Sequence, residues 1–151
     1  MGKKIAIIVF VVFIALQFFQ PSLPEVIVDN PNDLLTNNPE IPGDVTAILR
    51  NSCYDCHSNT TNYPWYSYLS PVSLLVVHDI EEGREELNFS NWESFNKIEK
   101  AGAIDDIIGV IEAREMPIQI YTVIHQDASL SDSERELLIG WADEYSDSLF
   151  D

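Results

Sequence analysis

The sequence has 151 residues, of which 46% are hydrophobic and 22% charged, a composition typical of one folded domain. Its charge is unusual, because 25 Asp and Glu against 8 Lys and Arg give a formal net charge of −17. This balance excludes nucleic acid as a partner, since binding to phosphates rests on Lys and Arg. It also argues against an anionic membrane surface for the folded part and favours a basic protein partner.

The N-terminus combines a basic pair with a short apolar run. Lys3 and Lys4 precede twelve apolar residues, Ile5 to Leu16, and this arrangement is typical of a secretory signal. The run is shorter than the roughly 20 residues of a membrane span, and the bulky residues 17–20 offer no small-residue cleavage site. We therefore predict that residues 1–20 are a signal peptide or an uncleaved inner-membrane anchor, with the remainder in the periplasm.

The next segment, residues 21–43, contains five of the eight prolines and several asparagines. This composition predicts a linker between the membrane and a domain that occupies residues 44–151. Asp44 is a candidate N-cap for the first helix of the domain. Ser70 and Pro71 predict a second helix start, with Ser70 at the N-cap and Pro71 at the first helical position.

Two further helical stretches complete the domain. The third is predicted to run from Ser90 toward Glu115, with a break near Gly102 or Gly109. The last begins at a capping box formed by residues 131 and 134, and its predicted apolar face is Leu137, Leu138, Trp141, Ala142 and Tyr145. No stretch alternates with the period of two that marks a strand. The predicted fold class is therefore all-α.

The only two cysteines form the motif C-x-x-C-H, with Cys53, Cys56 and His57. On a helix, positions i and i+3 share a face, so both sulfurs can reach the two vinyl groups on one edge of a porphyrin. The adjacent histidine can then coordinate the iron. The motif is the signature of c-type haem attachment, and the predicted export agrees with it independently.

Three other uses of these cysteines remain open. A Cys53–Cys56 disulfide is common in exported proteins, and a thioredoxin-like redox pair requires a βαβ setting. A structural zinc site requires four ligands, which the cysteines and two of the three histidines supply in number but not in a zinc-finger spacing. The motif and its flanking pattern favour one covalently attached haem c per chain over a haem-free thiol or zinc module.

The second axial ligand of such a haem has three candidates. Met116 precedes Pro117, and a residue before proline is pushed out of the helical region. Met116 is therefore expected on a stiff loop where the third helical stretch ends, and methionine opposite histidine is a common pair in electron-transfer cytochromes. His125 and His78 are the alternatives, although each also fits a surface histidine beside an aspartate.

Two clusters near the motif are candidates for supporting roles. Aromatic residues follow it closely and are expected either to wall the haem or to pack in the core: Tyr63, Trp65, Tyr66 and Tyr68. Acidic residues follow the second helix start and form either a docking patch or a solvated helix face: Glu81, Glu82, Glu85 and Glu86.

Together these motifs resemble the bacterial haem-binding domain family of exported, cytochrome c-like proteins. The resemblance extends over residues 44–142 and rests on separated stretches in order: Asn51 to His57, Tyr63 to Ser67, Ser70 to Ser73, His78, Gly83, Arg84, Leu87 to Ser90, Trp92, Glu115 to Pro117, Tyr121 and His125. Leu74 departs from the tryptophan of many relatives, a change expected to affect packing. The resemblance implies covalent haem at Cys53 and Cys56 with His57 as proximal ligand.

The order of haem helix, Met-Pro and capped last helix also resembles small monohaem c-type cytochromes. In those proteins the first and last helices cross, which would bring the Leu49 and Trp141 faces together. The leading hypothesis is thus an electron carrier rather than an enzyme, with a redox partner that docks through a basic surface. The alternative is a haem-based sensor or haem enzyme with a labile sixth ligand. Membrane contact is expected only through the N-terminal segment.

Overall fold

The computed structural model describes residues 2–151, which fold into eight α-helices and three short 3₁₀ helices without a β-strand. The predicted all-α class is confirmed. The α-helices are α1 Gly2–Leu16, α2 Leu34–Asn37, α3 Gly43–Ser52, α4 Tyr54–His57, α5 Val72–Glu86, α6 Lys97–Glu112, α7 Gln119–Ile124 and α8 Asp132–Ser148. The 3₁₀ helices are Trp65–Tyr68, Phe89–Ser94 and Gln126–Ala128.

The core lies between α3, α6 and α8, because α8 packs against both of the other helices. Each helix contributes at least one fully buried aliphatic side chain, among them Leu49, Ile104 and Leu138. Leu49 and Trp141 belong to the same buried cluster, as expected if the first and last helices of the domain cross. Trp92 extends the cluster, and its indole N–H donates to the Tyr145 hydroxyl at 2.8 Å.

Helix α8 begins at the predicted capping box. The Ser131 side chain accepts from the Glu134 backbone N–H, and the Glu134 carboxylate accepts from the Ser131 backbone N–H. The two earlier starts are shifted by a residue or two, because Pro42 and Pro71 occupy the N-cap positions of α3 and α5. The Asp44 side chain still accepts from the Val45 backbone N–H at 2.9 Å.

The predicted break in the third stretch is wrong. Helix α6 starts at a second capping box, formed by Asn96 and Glu99, and continues through Gly102 and Gly109. Both glycines are exposed, so each costs only the conformational entropy of a helical glycine, roughly 1 kcal/mol relative to alanine. The opposite face buries Ile104 and two further isoleucines, 107 and 111, and this burial offsets the cost.

The segment predicted as a linker, residues 21–43, instead packs on the domain. Leu34 is fully buried and Ile41 nearly so. The buried Asp33 carboxylate accepts from the Thr36 backbone N–H at 3.1 Å and from the Ser90 hydroxyl at 3.3 Å. The prolines and asparagines of this segment are typical of a linker, but they are interspersed with apolar residues that are buried in the core. The segment is therefore part of the folded unit.

None of the side chains of helix α1 is buried against the domain. Its C-terminal end contacts the domain through Gln17, whose side-chain amide donates to the Ser70 carbonyl at 2.8 Å. Among the helices described, none has both the length and the apolar character required to cross a membrane.

Candidate haem site

The C-x-x-C-H motif forms the single helical turn α4, directly after α3. The backbone N–H groups of Cys56 and His57 both donate to the Cys53 carbonyl, at 3.2 Å and 2.9 Å. Both cysteines are free thiols and partly exposed. The helical turn expected from the spacing is therefore present, and neither of its thiols is used in a disulfide.

The imidazole of His57 is held in one tautomer. Its Nδ1 lies 3.1 Å from the backbone carbonyl oxygen of Leu87. A carbonyl can only accept a hydrogen bond, so Nδ1 bears the proton, and in the neutral imidazole Nε2 then presents a lone pair. Histidines that ligate metals are usually oriented by such a bond to the second ring nitrogen. His57 is thus prepared to coordinate iron through Nε2.

Helix α5 lies directly against this turn. A Cβ added at the buried Gly83 would meet the Cys56 carbonyl oxygen at 3.0 Å and the Cys56 Cβ at 3.2 Å. The next residue, Arg84, donates from Nε to the Ser58 carbonyl at 2.8 Å and from Nη2 to the Thr61 hydroxyl at 3.0 Å. Helix α5 also leads into Leu87, so its close approach positions the carbonyl that orients His57.

Replacing Gly83 with alanine is expected to lower stability, because the new methyl group meets backbone atoms that the arginine contacts hold in place. Overpacking of this kind costs about 1–3 kcal/mol, which exceeds the roughly 1 kcal/mol gained from a better helix former. Gly102→Ala is the matched control, since open space surrounds that helical glycine. Urea unfolding of both variants is the measurement, and a stabilised Gly83→Ala protein would contradict the close packing.

Two adjoining cavities flank the motif. One, of about 260 Å³, is almost entirely apolar and is lined mainly by Pro64, Tyr66, Val72, Leu75, Val76, Ile80, Ile118, Ile120 and Ile124. The other, of about 300 Å³, is lined by His57 and Met116 together with acidic residues of α5. Four residues line both cavities: Cys56, Asp79, Ile118 and Tyr121. Cys56 therefore borders both an apolar cavity and a second cavity that carries acidic side chains.

Met116 is the only one of the three candidate sixth ligands that lines these two cavities. It lies on the loop after α6, as its position before proline predicts. The guanidinium of Arg135 donates to the Met116 carbonyl at 3.2 Å and to the Ile111 carbonyl at 3.1 Å. The loop is thus fixed through its backbone, which leaves the thioether free to face the cavity.

The side chains of the two histidine candidates make other contacts. The His125 imidazole Nε2 is hydrogen-bonded to the Tyr66 hydroxyl, and its ring stacks on Tyr121 with centroids 4.4 Å apart. His78 is exposed on α5, with Nε2 3.7 Å from a carboxylate oxygen of Glu82. Neither side chain lines the cavities around Cys56.

Of the predicted aromatic cluster, Tyr66 alone lines a cavity. Tyr63 donates to the Pro24 carbonyl at 2.7 Å, whereas Trp65 and Tyr68 are exposed. The rest of the apolar cavity wall was not predicted from the sequence. It comes from α7 and the residue before it. Its Ile118, Tyr121 and Ile124 recur at helical spacing, and that periodicity is the signal that identifies such a wall.

The thiols are held neutral by their surroundings. Loss of solvation raises the pKa of Cys53 to about 12, with a smaller contribution from the neighbouring Cys56. Loss of solvation, followed by the negative charges of Asp55 and Asp79, raises the pKa of Cys56 to about 11. Thiol–disulfide exchange depends on the thiolate, so this environment does not favour a redox pair.

The carboxylate between the cysteines is tied into the site. Asp55 accepts from the Tyr121 hydroxyl at 2.8 Å and from the Asn62 backbone N–H at 2.9 Å. Burial, and then this bond to a carboxylate, raise the pKa of Tyr121. Across residues 2–151, no group of three His, Cys, Asp or Glu side chains comes together as a metal site, so the geometry gives no support to a zinc module.

The free thiols of the motif, the available Nε2 of His57 and the apolar cavity beside Cys56 fit a haem, while Cys53 itself packs against the core and lines neither cavity. The fold and site thus define an all-helical haem-binding domain. Comparison with known proteins agrees, because the chain matches the haem-binding domain family over residues 11–144. The chain belongs to this family.

The chain is also similar to cytochrome c peroxidase Ccp of Escherichia coli (strain K12), with 28% identity over 101 residues. The match covers 64% of this chain but only 22% of that protein, so the chain spans about a fifth of its length. No solved structure matches the chain.

Proposed function

We propose that this protein is a monohaem c-type cytochrome that transfers single electrons outside the cytoplasm. One haem would be bound covalently through Cys53 and Cys56, with His57 as its proximal ligand. The observation that carries the proposal is the bond from His57 Nδ1 to the Leu87 carbonyl, which leaves Nε2 for iron. When bound, the haem supplies one-electron chemistry at iron.

Met116 is proposed as the sixth ligand. Its support is its place in the same cavity as His57, together with a loop that Arg135 fixes through the backbone. A methionine opposite histidine raises the reduction potential and suits electron transfer. His125 and His78 remain the alternatives.

Residues 1–20 are proposed to direct the chain to the periplasm and, if uncleaved, to hold it at the inner membrane. The redox partner is proposed to dock through a basic surface. Asp79, Glu82 and Glu86 line the cavity that contains His57, so opposite charge on the partner would steer it toward this site. Association should then weaken as salt is raised.

The test of covalent attachment uses the full chain produced with a cytochrome c maturation system. Acidified acetone extracts haem that is held only by non-covalent contacts, so we expect the wild-type protein to stay coloured. The double variant Cys53→Ser/Cys56→Ser is expected to lose all of its bound haem in the same extraction, since no thioether bond remains. Ser133→Ala, at an exposed serine of α8, is the control and should behave as wild type.

Two results would overturn this assignment. Complete extraction of haem from the wild-type protein would show a non-covalent site. A colourless wild-type protein would instead favour a haem-free thiol or zinc module. Metal analysis of the purified chain would then distinguish the thiol module from the zinc module.

A haem enzyme or sensor with a labile sixth ligand is the second candidate. The observation that favours it is the similarity to a protein named cytochrome c peroxidase, which is limited to 22% of that protein. The electron carrier and the enzyme or sensor differ in whether an external molecule displaces Met116 from the iron. Carbon monoxide binding to the wild-type and Met116→Ala proteins distinguishes these two functions.

A further inference from the structure

Charge is distributed very unevenly along this chain. Residues 5–24 and 56–78 contain no Asp, Glu, Lys or Arg. All of the acidic and basic side chains that give the net charge of −17 therefore lie outside these two segments. A charge-free stretch of this length is unexpected on the surface of so acidic a protein unless that surface meets something that excludes charge.

The fold brings the two charge-free segments together. Gln17, at the end of α1, donates from its side-chain amide to the Ser70 carbonyl at 2.8 Å and accepts from the Ser70 backbone N–H at 3.1 Å. Gln20 donates to the Tyr68 carbonyl at 2.9 Å. The polar side chains at this junction thus bond to the backbone of the domain, and the apolar ones are left outside.

Those apolar side chains form what we call the neutral face. Its members are exposed by 83% at Phe18, 73% at Phe19, 75% at Trp65, 53% at Tyr68 and 41% at Val72. Phe19 and Ser70 meet directly at this junction, where the Ser70 hydroxyl donates to the Phe19 carbonyl at 3.3 Å. Exposed apolar and aromatic groups at a surface mark sites of interaction with protein or membrane. Val72 also lines the apolar cavity beside Cys56, so this face borders the haem site.

We propose that the neutral face lies against a lipid bilayer, with Trp65 and Tyr68 at the headgroup level. Trp and Tyr are the residues enriched at membrane–water interfaces, and the face is continuous with α1, an apolar helix exposed along its length. The acidic character that argues against a membrane for the domain as a whole is missing from this face.

A second copy of the chain is a poorer occupant of the neutral face. Two domains brought face to face would each carry the large negative charge of the remaining surface, and like charges repel. Membrane contact would therefore extend beyond the N-terminal segment into the domain itself, and would hold the apolar cavity near the lipid boundary. The inference rests on the proposed location outside the cytoplasm and on retention of the N-terminal segment, and not on the ligands of the haem.

The test places a photo-crosslinking group on the neutral face of the full, haem-loaded chain. Benzoylphenylalanine replaces Trp65 in one sample and Tyr68 in a second. In the control it replaces Ile98, which lies on α6 and is 77% exposed. Each protein is bound to phosphatidylcholine vesicles and irradiated, and mass spectrometry of its peptides detects attached lipid. We expect lipid adducts at positions 65 and 68, and at position 98 no more than in the unirradiated sample.

Absence of lipid adducts at positions 65 and 68, or equal labelling at position 98, would overturn the proposal. Protein–protein adducts at position 65 would overturn it in favour of a second copy. The visible spectrum is recorded on the same samples, so a normal haem spectrum without lipid adducts rejects the membrane face and leaves the proposed function intact.

Discussion

Leu34→Ala should destabilise the protein by about 2–5 kcal/mol, because it removes a fully buried side chain and leaves a cavity behind. Domains of this size are stable by only about 5–15 kcal/mol in total, so the loss is a large fraction of the whole. The residue lies in the proline- and asparagine-rich segment whose composition suggests a linker. Urea unfolding followed by circular dichroism measures the change.

Val28→Ala is the matched control for that measurement. It shortens an aliphatic side chain in the same segment, but Val28 is 74% exposed, and surface substitutions usually change stability by no more than about 0.5 kcal/mol. If Leu34→Ala and Val28→Ala shifted the urea midpoint equally, residues 30–42 would not belong to the folded core.

The linker prediction was wrong for a physical reason. Proline and asparagine content reports local backbone preference, whereas the burial of Leu34 depends on partners distant in sequence. The neighbouring Asp33 carboxylate accepts from Ser90, 57 residues away, and the Leu35 backbone N–H donates to the Tyr54 hydroxyl. Single apolar residues between turn formers have no periodicity, so no pattern in the sequence marked them as core.

The local features of the fold were predictable because they depend on short spacings. The box at Ser131 and Glu134 and the helical turn at Cys53–His57 each follow from residues three or four apart. The break in α6 was not predictable in this way. Glycine weakens a helix locally, but the buried isoleucines on the opposite face decided the outcome through contacts across the core.

The candidate site also combines features that follow from short spacings with features that depend on residues distant in sequence. The motif predicts Cys53, Cys56 and His57 as haem-binding residues from their spacing alone. The carbonyl that orients His57 belongs to Leu87, 30 residues later, and a backbone acceptor has no side-chain identity to be recognised. The close approach at Gly83 is likewise visible only in three dimensions, although the glycine itself lies in one of the stretches that resemble the family.

Met116→Ala should remove the sulfur-to-iron charge-transfer band of the oxidised, haem-loaded protein and lower its reduction potential. The thioether stabilises the ferrous state relative to other ligands, and alanine has no donor to replace it. The loop should persist in the variant, because Arg135 holds it through the Met116 and Ile111 carbonyls rather than through the side chain. Visible spectra and a redox titration measure both effects.

His125→Ala and His78→Ala are the controls for this prediction, and both should retain the band. Carbon monoxide adds a second readout. The ferrous wild-type protein should bind it slowly and the Met116→Ala protein rapidly, since only the variant offers an open position on the iron. Rapid binding by the wild type would favour the enzyme or sensor. A wild-type spectrum without the band that changes only in His125→Ala or His78→Ala would assign the sixth position to that histidine.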